Sequence, residues 1–238
     1  LVEHPDVKAV GFTGSIRGGR ALLDIASKRE EPIPVFAEMG SINPVVLLPK
    51  ALENRGKDIA KTYSSSITLG SGQFCTNPGL ILGIKSKELS KFIDSLAIQV
   101  QEISPSCMLH PNIKLGYEKN KEVLISQDKV ELVANYSESN KSNYASQTIV
   151  KVDGKNFLNN RKLHLEVFGP FSLIVECDNI EQLESIILNL EGQLTGTIIS
   201  DNDELVSYKN IISALQSRVG RIIFNGVPTG VEVCESMV

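Results

Sequence analysis

At 238 residues, 42% hydrophobic and 22% charged, the chain carries enough apolar material for one large core or two modest ones, as a soluble globular protein does. A formal net charge of -4 with scattered lysines argues against nucleic acid as a partner, and no run approaches the roughly 18 apolar residues of a membrane-spanning helix. No basic-then-apolar segment opens the sequence, so the cytoplasm is the expected compartment, without membrane association.

Short apolar runs alternate with stretches of helical spacing. Strand is expected at Val7 to Val10, helix at Ile16 to Lys28, and strands at Val35 to Ala37 and Val45 to Leu48. Helix follows at Leu52 to Thr68, strand at Leu80 to Ile84, and helices at Leu89 to Ile103 and Asn112 to Ser126. The polar stretch Asn135 to Gln147 reads as a surface excursion. Strands at Thr148 to Val152 and Leu173 to Glu176, a helix at Ile180 to Leu190, a strand at Gly196 to Ile199, a helix at Leu205 to Ser217 and a strand at Arg221 to Phe224 complete the pattern. Several strands are continuous rather than alternating, which suits burial on both faces. The expected fold class is α/β, a largely parallel open sheet flanked by helices. Opening at Leu1 without methionine and stopping abruptly at Val238, the chain reads as part of something longer.

Four cysteines (Cys75, Cys107, Cys177, Cys234) and three histidines (His4, His110, His164) are dispersed, so no metal site and no disulfide framework are expected. One cysteine stands apart. Cys75 lies in Gly70-Ser71-Gly72-Gln73-Phe74-Cys75-Thr76-Asn77-Pro78-Gly79, a bend in which glycines let the backbone approach a ligand. Alone, it is either a small buried side chain or a presented thiol. Gly14 and Ser15 fall in a glycine-rich turn before the first helix, which is either an ordinary N-cap or a cradle for a phosphate or carboxylate. That turn is not GxGxxG. Glu38 leaves an apolar strand just before Gly40, either as the first solvated loop residue or as an acid at the carboxyl end of a sheet, where ligands bind. Cys107, Cys177 and Cys234 read as packing residues, and strand alternation puts His164 on the face of Glu166.

Phe12-Thr13-Gly14-Ser15 with Gly19, Glu38-Met39-Gly40 with Asn43-Pro44, Gly72-Gln73-Phe74-Cys75, and Glu166-Val167-Phe168-Gly169-Pro170 together resemble the aldehyde dehydrogenase superfamily over nearly the whole chain. The spacing is 37 residues from Glu38 to Cys75 and 91 on to Glu166. Leu190 to Thr197 and Phe224 to Val233 look like its α-ketoglutarate-semialdehyde (2,5-dioxopentanoate) branch, which is often NADP-using and related to bacterial long-chain fatty aldehyde dehydrogenases. The resemblance implies a Rossmann-like catalytic domain, an aldehyde as small-molecule substrate, NAD or NADP as cofactor and a homo-oligomeric full-length protein. It implies Cys75 as the nucleophile, forming a thiohemiacetal and then a thioester, with Glu38 activating water to hydrolyse it. Gly14 and Ser15 face the cofactor pyrophosphate, while Glu166 and Phe168 position the nicotinamide ribose and ring.

The sequence also departs from that pattern. Most of the family's cofactor domain, with an oxyanion-hole asparagine and an adenosine-binding lysine, has no counterpart ahead of Leu1, and the family's C-terminal oligomerisation strands none after Val238. Residues 1–38 are therefore expected to be the C-terminal remnant of an NAD(P)-binding domain and 39–238 a catalytic domain with a truncated C-terminus, so that cofactor binding by the fragment is in doubt and little or no dehydrogenase activity is expected of it. A cofactor-independent Cys75 esterase or thioesterase, and an inert structural module, remain the alternatives. Acyl-CoA-forming relatives are disfavoured, since they generally lack the base that Glu38 provides.

Overall fold

The computed structural model describes residues 1–136, 141–201 and 203–230. Cys234, the end of the Phe224 to Val233 motif and part of the polar stretch after Asn135 lie outside the described residues. The chain divides into two compact units, Leu1–Gly40 and Ser41–Val238.

The first unit is β1 (Val10–Thr13), α1 (Ile16–Ser27) and β2 (Val35–Glu38). The strands pair in parallel, from Val10 opposite Val35 to Thr13 opposite Glu38. β1 therefore begins three residues later than its apolar run suggests. Val7 belongs to the preceding loop, where the Arg29 guanidinium donates to the carbonyls of Val2 (2.8 Å) and Val7 (2.9 Å). Ser15 caps α1, its hydroxyl accepting from the Gly18 N–H at 3.2 Å. A Cβ on buried Gly19 would lie 2.6 Å from the Met39 sulfur, so a larger residue there would require the Met39 side chain to move.

The second unit follows in chain order: β3 (Pro44–Leu47), α2 (Pro49–Thr68), β4 (Leu80–Ile84), α3 (Lys87–Glu102), β5 (Ser106–Cys107), α4 (Pro111–Ile125), β6 (Glu131–Asn135), β7 (Tyr144–Ala145) and β8 (Thr148–Asp153). It continues with α5 (Gly154–Asn159), β9 (Phe171–Cys177), α6 (Ile180–Asn189), β10 (Gln193–Ile199), α7 (Lys209–Gln216) and β11 (Val219–Phe224). Seven strands form one sheet in the order β11-β10-β3-β4-β9-β8-β6, parallel except for the β6–β8 pair. Both faces are buried. Val45, Ile81, Ile149, Ile174 and Ile199 meet α2 and α3 on one side, while Val46, Leu82, Val150, Val175 and Ile198 share the other core with residues of α5, α6 and α7. Strand alternation thus feeds two cores from one sheet, which is why the strand runs read as continuously apolar.

Several elements differ from the sequence expectation. β6 is an antiparallel edge strand with a bulge between Leu132 and Ala134, too polar and irregular to give a strand signal. β5 and β7 form a two-residue ribbon set by tertiary pairing. The expected helix at Leu205 to Ser217 splits into a 3-10 turn (Leu205–Tyr208) and α7. The end of the Asn135 to Gln147 stretch is not a surface excursion: Ala145, Ser146 and Gln147 are buried, and Gln147 donates to the Ile103 carbonyl at 2.6 Å. The Ile103 carbonyl gives the buried Gln147 amide nitrogen its partner.

Candidate active site

α2 runs into a turn, Leu69–Gly72, in which Gly70, Ser71 and Gly72 are consecutively left-handed (φ +55, +58 and +65). This tight reversal ends the helix and aims the chain at Cys75. Gln73 braces it, donating to the Gly70 carbonyl (2.8 Å) and accepting from the Leu109 N–H (2.9 Å). The Asn77 N–H closes the next turn on the Phe74 carbonyl at 3.0 Å. Cys75 at the crest is exposed, whereas Thr76, Asn77 and Pro78 behind it are buried. The thiol is presented rather than packed, which decides between the two readings of that bend.

A buried polar network lies behind the loop. Asn43 donates from Nδ2 to the carbonyls of Cys75 and Asn77, both at 2.9 Å. Its Oδ1 accepts from the Ser41 hydroxyl (2.9 Å) and from the Thr195 hydroxyl (3.0 Å) and N–H (3.3 Å). Gln193 Oε1 accepts from the Ile42 N–H (2.7 Å) and shares the single Ser41 hydroxyl hydrogen with Asn43 Oδ1 (2.9 Å to each), so it anchors this strand entry. The Ser41 N–H donates to the Glu166 carboxylate at 3.2 Å. Asn77 Nδ2 reaches the Gly169 carbonyl at 3.2 Å, and Asn120 donates to the Glu166 carbonyl at 3.0 Å. The Cys75 loop and the Glu166 to Pro170 loop are thereby held in one unit, with a shallow cleft lined by Phe74, Asn77, Glu166 and Phe168 among others.

Burial raises the Glu166 carboxyl above the ordinary carboxylate range, opposed in part by the Ser41 N–H. The folded state therefore favours the neutral acid. Its contribution to stability is fully present below the ordinary glutamate pKa and is lost as pH rises through the raised value. In urea unfolding, the stability of wild type relative to Glu166→Gln should accordingly fall as pH rises from the ordinary glutamate pKa, about 4.3, through the raised value. A difference that stays level across that window would refute this assignment.

Of the other predicted residues, Glu38 ends β2 and is exposed, and its carbonyl accepts from the Gly14 N–H at 3.0 Å, so Glu38, Gly14 and Ser15 meet in the first unit. The first turn of α1 holds no acidic residue and carries Arg17, which suits an anion at that helix start. Phe168 is half-buried beside Glu166. Among the described residues no group of three or more His, Cys, Asp or Glu side chains is placed to hold a metal ion, and no helix is long and apolar enough to cross a membrane. Two expectations need correction. Cys107 is exposed on a short edge ribbon rather than packed in the core, and His164 sits in a 3-10 turn stacked on Phe157 (ring centroids 4.2 Å apart), not on a strand with Glu166. Cys177 is buried as expected, and burial pushes its thiol up to about 12.

The sequence model of the aldehyde dehydrogenase family matches residues 1–234. The chain belongs to the aldehyde dehydrogenase family. Alpha-ketoglutaric semialdehyde dehydrogenase of Acinetobacter baylyi is 40% identical over all of this chain, and alpha-ketoglutaric semialdehyde dehydrogenase 2 of Azospirillum brasilense is 43% identical. In both cases the chain spans 45% of the relative's own length. Among solved structures, PnpE from Pseudomonas sp. WBC-3 superposes with a TM-score of 0.79 at 20% identity, over 97% of this chain and 47% of PnpE, a likeness of fold. PnpE has also been solved in complex with nicotinamide adenine dinucleotide.

Ser41, Asn43 and Asn77 were not singled out from sequence as site residues. Asn43 before Pro44 carried the one available signal, an amide at a strand entry, and its positive φ of 44° emerges only in the fold.

Proposed function

We propose that this chain carries the catalytic cysteine of an NAD(P)-dependent aldehyde dehydrogenase acting on α-ketoglutaric semialdehyde or a close analogue. The observation that carries the reading is the exposed Cys75 thiol on a loop whose carbonyl groups are held by a buried amide, tied to the loop of Glu166. The substrate class comes from the two relatives that the whole chain matches at 40–43% identity.

In this reading Cys75 adds as thiolate to the aldehyde carbon, and its own N–H donates to the oxyanion that forms. NAD or NADP, when bound, would supply the hydride acceptor, and the Cys75 thiohemiacetal that gives up its hydride becomes a thioester. Glu38 removes a proton from the water that hydrolyses the thioester. Gly14 and Ser15 at the open helix start would hold the cofactor's phosphates, and Glu166 with Phe168 would hold its nicotinamide end. Residues 1–38 then belong to a cofactor domain and 39–238 to a catalytic domain, and the working protein is a homo-oligomer. At under half the length of its relatives, the chain taken alone is expected to show little or no dehydrogenase activity.

The test is reduction of NAD and of NADP driven by α-ketoglutaric semialdehyde, in the natural polypeptide that carries this sequence. Cys75→Ala should lower kcat by about 10³-fold or more. Unchanged turnover in that variant removes Cys75 from the chemistry. Ester hydrolysis by the wild type with no reduction of either nucleotide would make the protein a thiol esterase instead.

A further inference from the structure

Asn43 is 1% exposed and spends its whole amide on the fold: Oδ1 faces two hydroxyls and an N–H, while Nδ2 faces carbonyls. A reversed amide would set its NH2 against the Thr195 N–H and its oxygen against two carbonyls, so the chemistry of the partners fixes its orientation. The two amide hydrogens go to the carbonyls of Cys75 and Asn77, on either side of buried Thr76. These contacts span 32 and 34 residues of sequence and fix the peptide planes that follow Cys75 and Asn77. The opposite edge of the same turn is fixed by the Asn77 N–H on the Phe74 carbonyl. Between those anchors the Cys75 Cα has little freedom, and neither does the direction in which its side chain leaves the loop.

We propose that Asn43 is a positioning residue for the reaction: through the Cys75 and Asn77 carbonyls it holds the thiol in the attacking position, and it acts on turnover rather than on substrate affinity. This rests on the reading of Cys75 as the nucleophile. Asn43 makes no contact with substrate in this role. Reaction rate depends steeply on the placement of the attacking atom, and a shift of about 1 Å is enough for about a 10²-fold loss. Substrate affinity depends on surfaces that the amide does not form.

Steady-state kinetics of Asn43→Ala in the natural polypeptide should show kcat lowered about 10- to 100-fold with the KM for aldehyde within about 3-fold of wild type. Asn43→Ser, which keeps one hydroxyl donor, should recover part of the loss, and it replaces the alanine variant if that one does not fold. Tyr63→Phe deletes a hydrogen bond that shares no partner with Asn43 or the Cys75 loop, from the Tyr63 hydroxyl to the Gly226 carbonyl at 2.9 Å. It should lower Tm while leaving kcat unchanged, separating general destabilisation from positioning. A folded Asn43 variant with kcat within about 2-fold of wild type, or one whose loss lies in KM, overturns the proposal. So does an equal kcat loss in Tyr63→Phe. Cys75→Ala, assayed alongside, keeps the two questions apart: if it is inactive and Asn43→Ala is not, the positioning role fails and the nucleophile stands, whereas an active Cys75→Ala removes the nucleophile itself.

Discussion

Gly72→Ala is expected to destabilise the second unit by about 3–5 kcal/mol, from overpacking added to a left-handed backbone. Gly72 holds φ +65, and a Cβ there would fall 2.2 Å from the carbonyl carbon and oxygen of Gly169 and 2.4 Å from the Pro170 nitrogen. Those neighbours are backbone, so no rotamer change relieves the clash. One loop must move away from the other, breaking the Asn77 to Gly169 hydrogen bond that ties the thiol loop to that of Glu166. Gly70 supplies the control. It is also left-handed (φ +55), but its added Cβ would meet only the Phe74 ring at 2.9 Å, a side chain that can shift. Gly70→Ala should cost about 1–2 kcal/mol, chiefly from its backbone conformation. Urea unfolding of both variants decides the matter, and a Gly72→Ala protein no less stable than Gly70→Ala would show that the two loops are not in close backbone contact.

Tyr117→Ala should cost a further-reaching 3–5 kcal/mol or so, the usual result of emptying a large aromatic site in a core. Tyr117 is fully buried on α4, and its ring packs so tightly on Gly169 that a Cβ there would sit 2.3 Å from the ring. Its hydroxyl donates to the Ser146 carbonyl at 2.6 Å, with the Pro170 carbonyl at 3.4 Å. Burial raises the phenol well above its ordinary range, so it stays a neutral donor throughout the physiological window. Tyr117→Phe keeps the ring and should cost only about 1 kcal/mol for the lost hydrogen bond. At about 2–4 °C per kcal/mol for a domain of this size, the alanine variant should melt roughly 10 °C lower and the phenylalanine variant only a few degrees lower. Equal shifts would place the energy in the hydroxyl rather than the ring.

The strands of the central sheet were legible because each is a continuous apolar run, the signature of a strand buried on both faces. Boundaries slipped where pairing, not composition, decides: β1 starts at Val10 because Val10 lies opposite Val35. β5, β6 and β7 escaped notice because they are short or irregular edge pieces formed by pairing with other parts of the chain. The polar end of the Asn135 to Gln147 stretch misled for the opposite reason, since polar residues can be buried when a partner such as the Ile103 carbonyl waits for them.

For the site, the residues proposed for the chemistry came from motifs in a fixed order that resemble the family, because reactive side chains are few and their types are set by the reaction. Cys75, Glu38, Gly14, Ser15, Glu166 and Phe168 all came from the sequence, as did the family. What supports them did not. Whether the Cys75 thiol is presented or packed, and that Asn43, Ser41 and Gln193 form the buried frame behind it, depends on hydrogen bonds between residues up to 152 positions apart. Composition and local spacing carry no record of such pairings. They are fixed only when the sheet brings the segment leading into β3 beside the start of β10 and leaves one amide to satisfy both the thiol loop and its neighbouring strand.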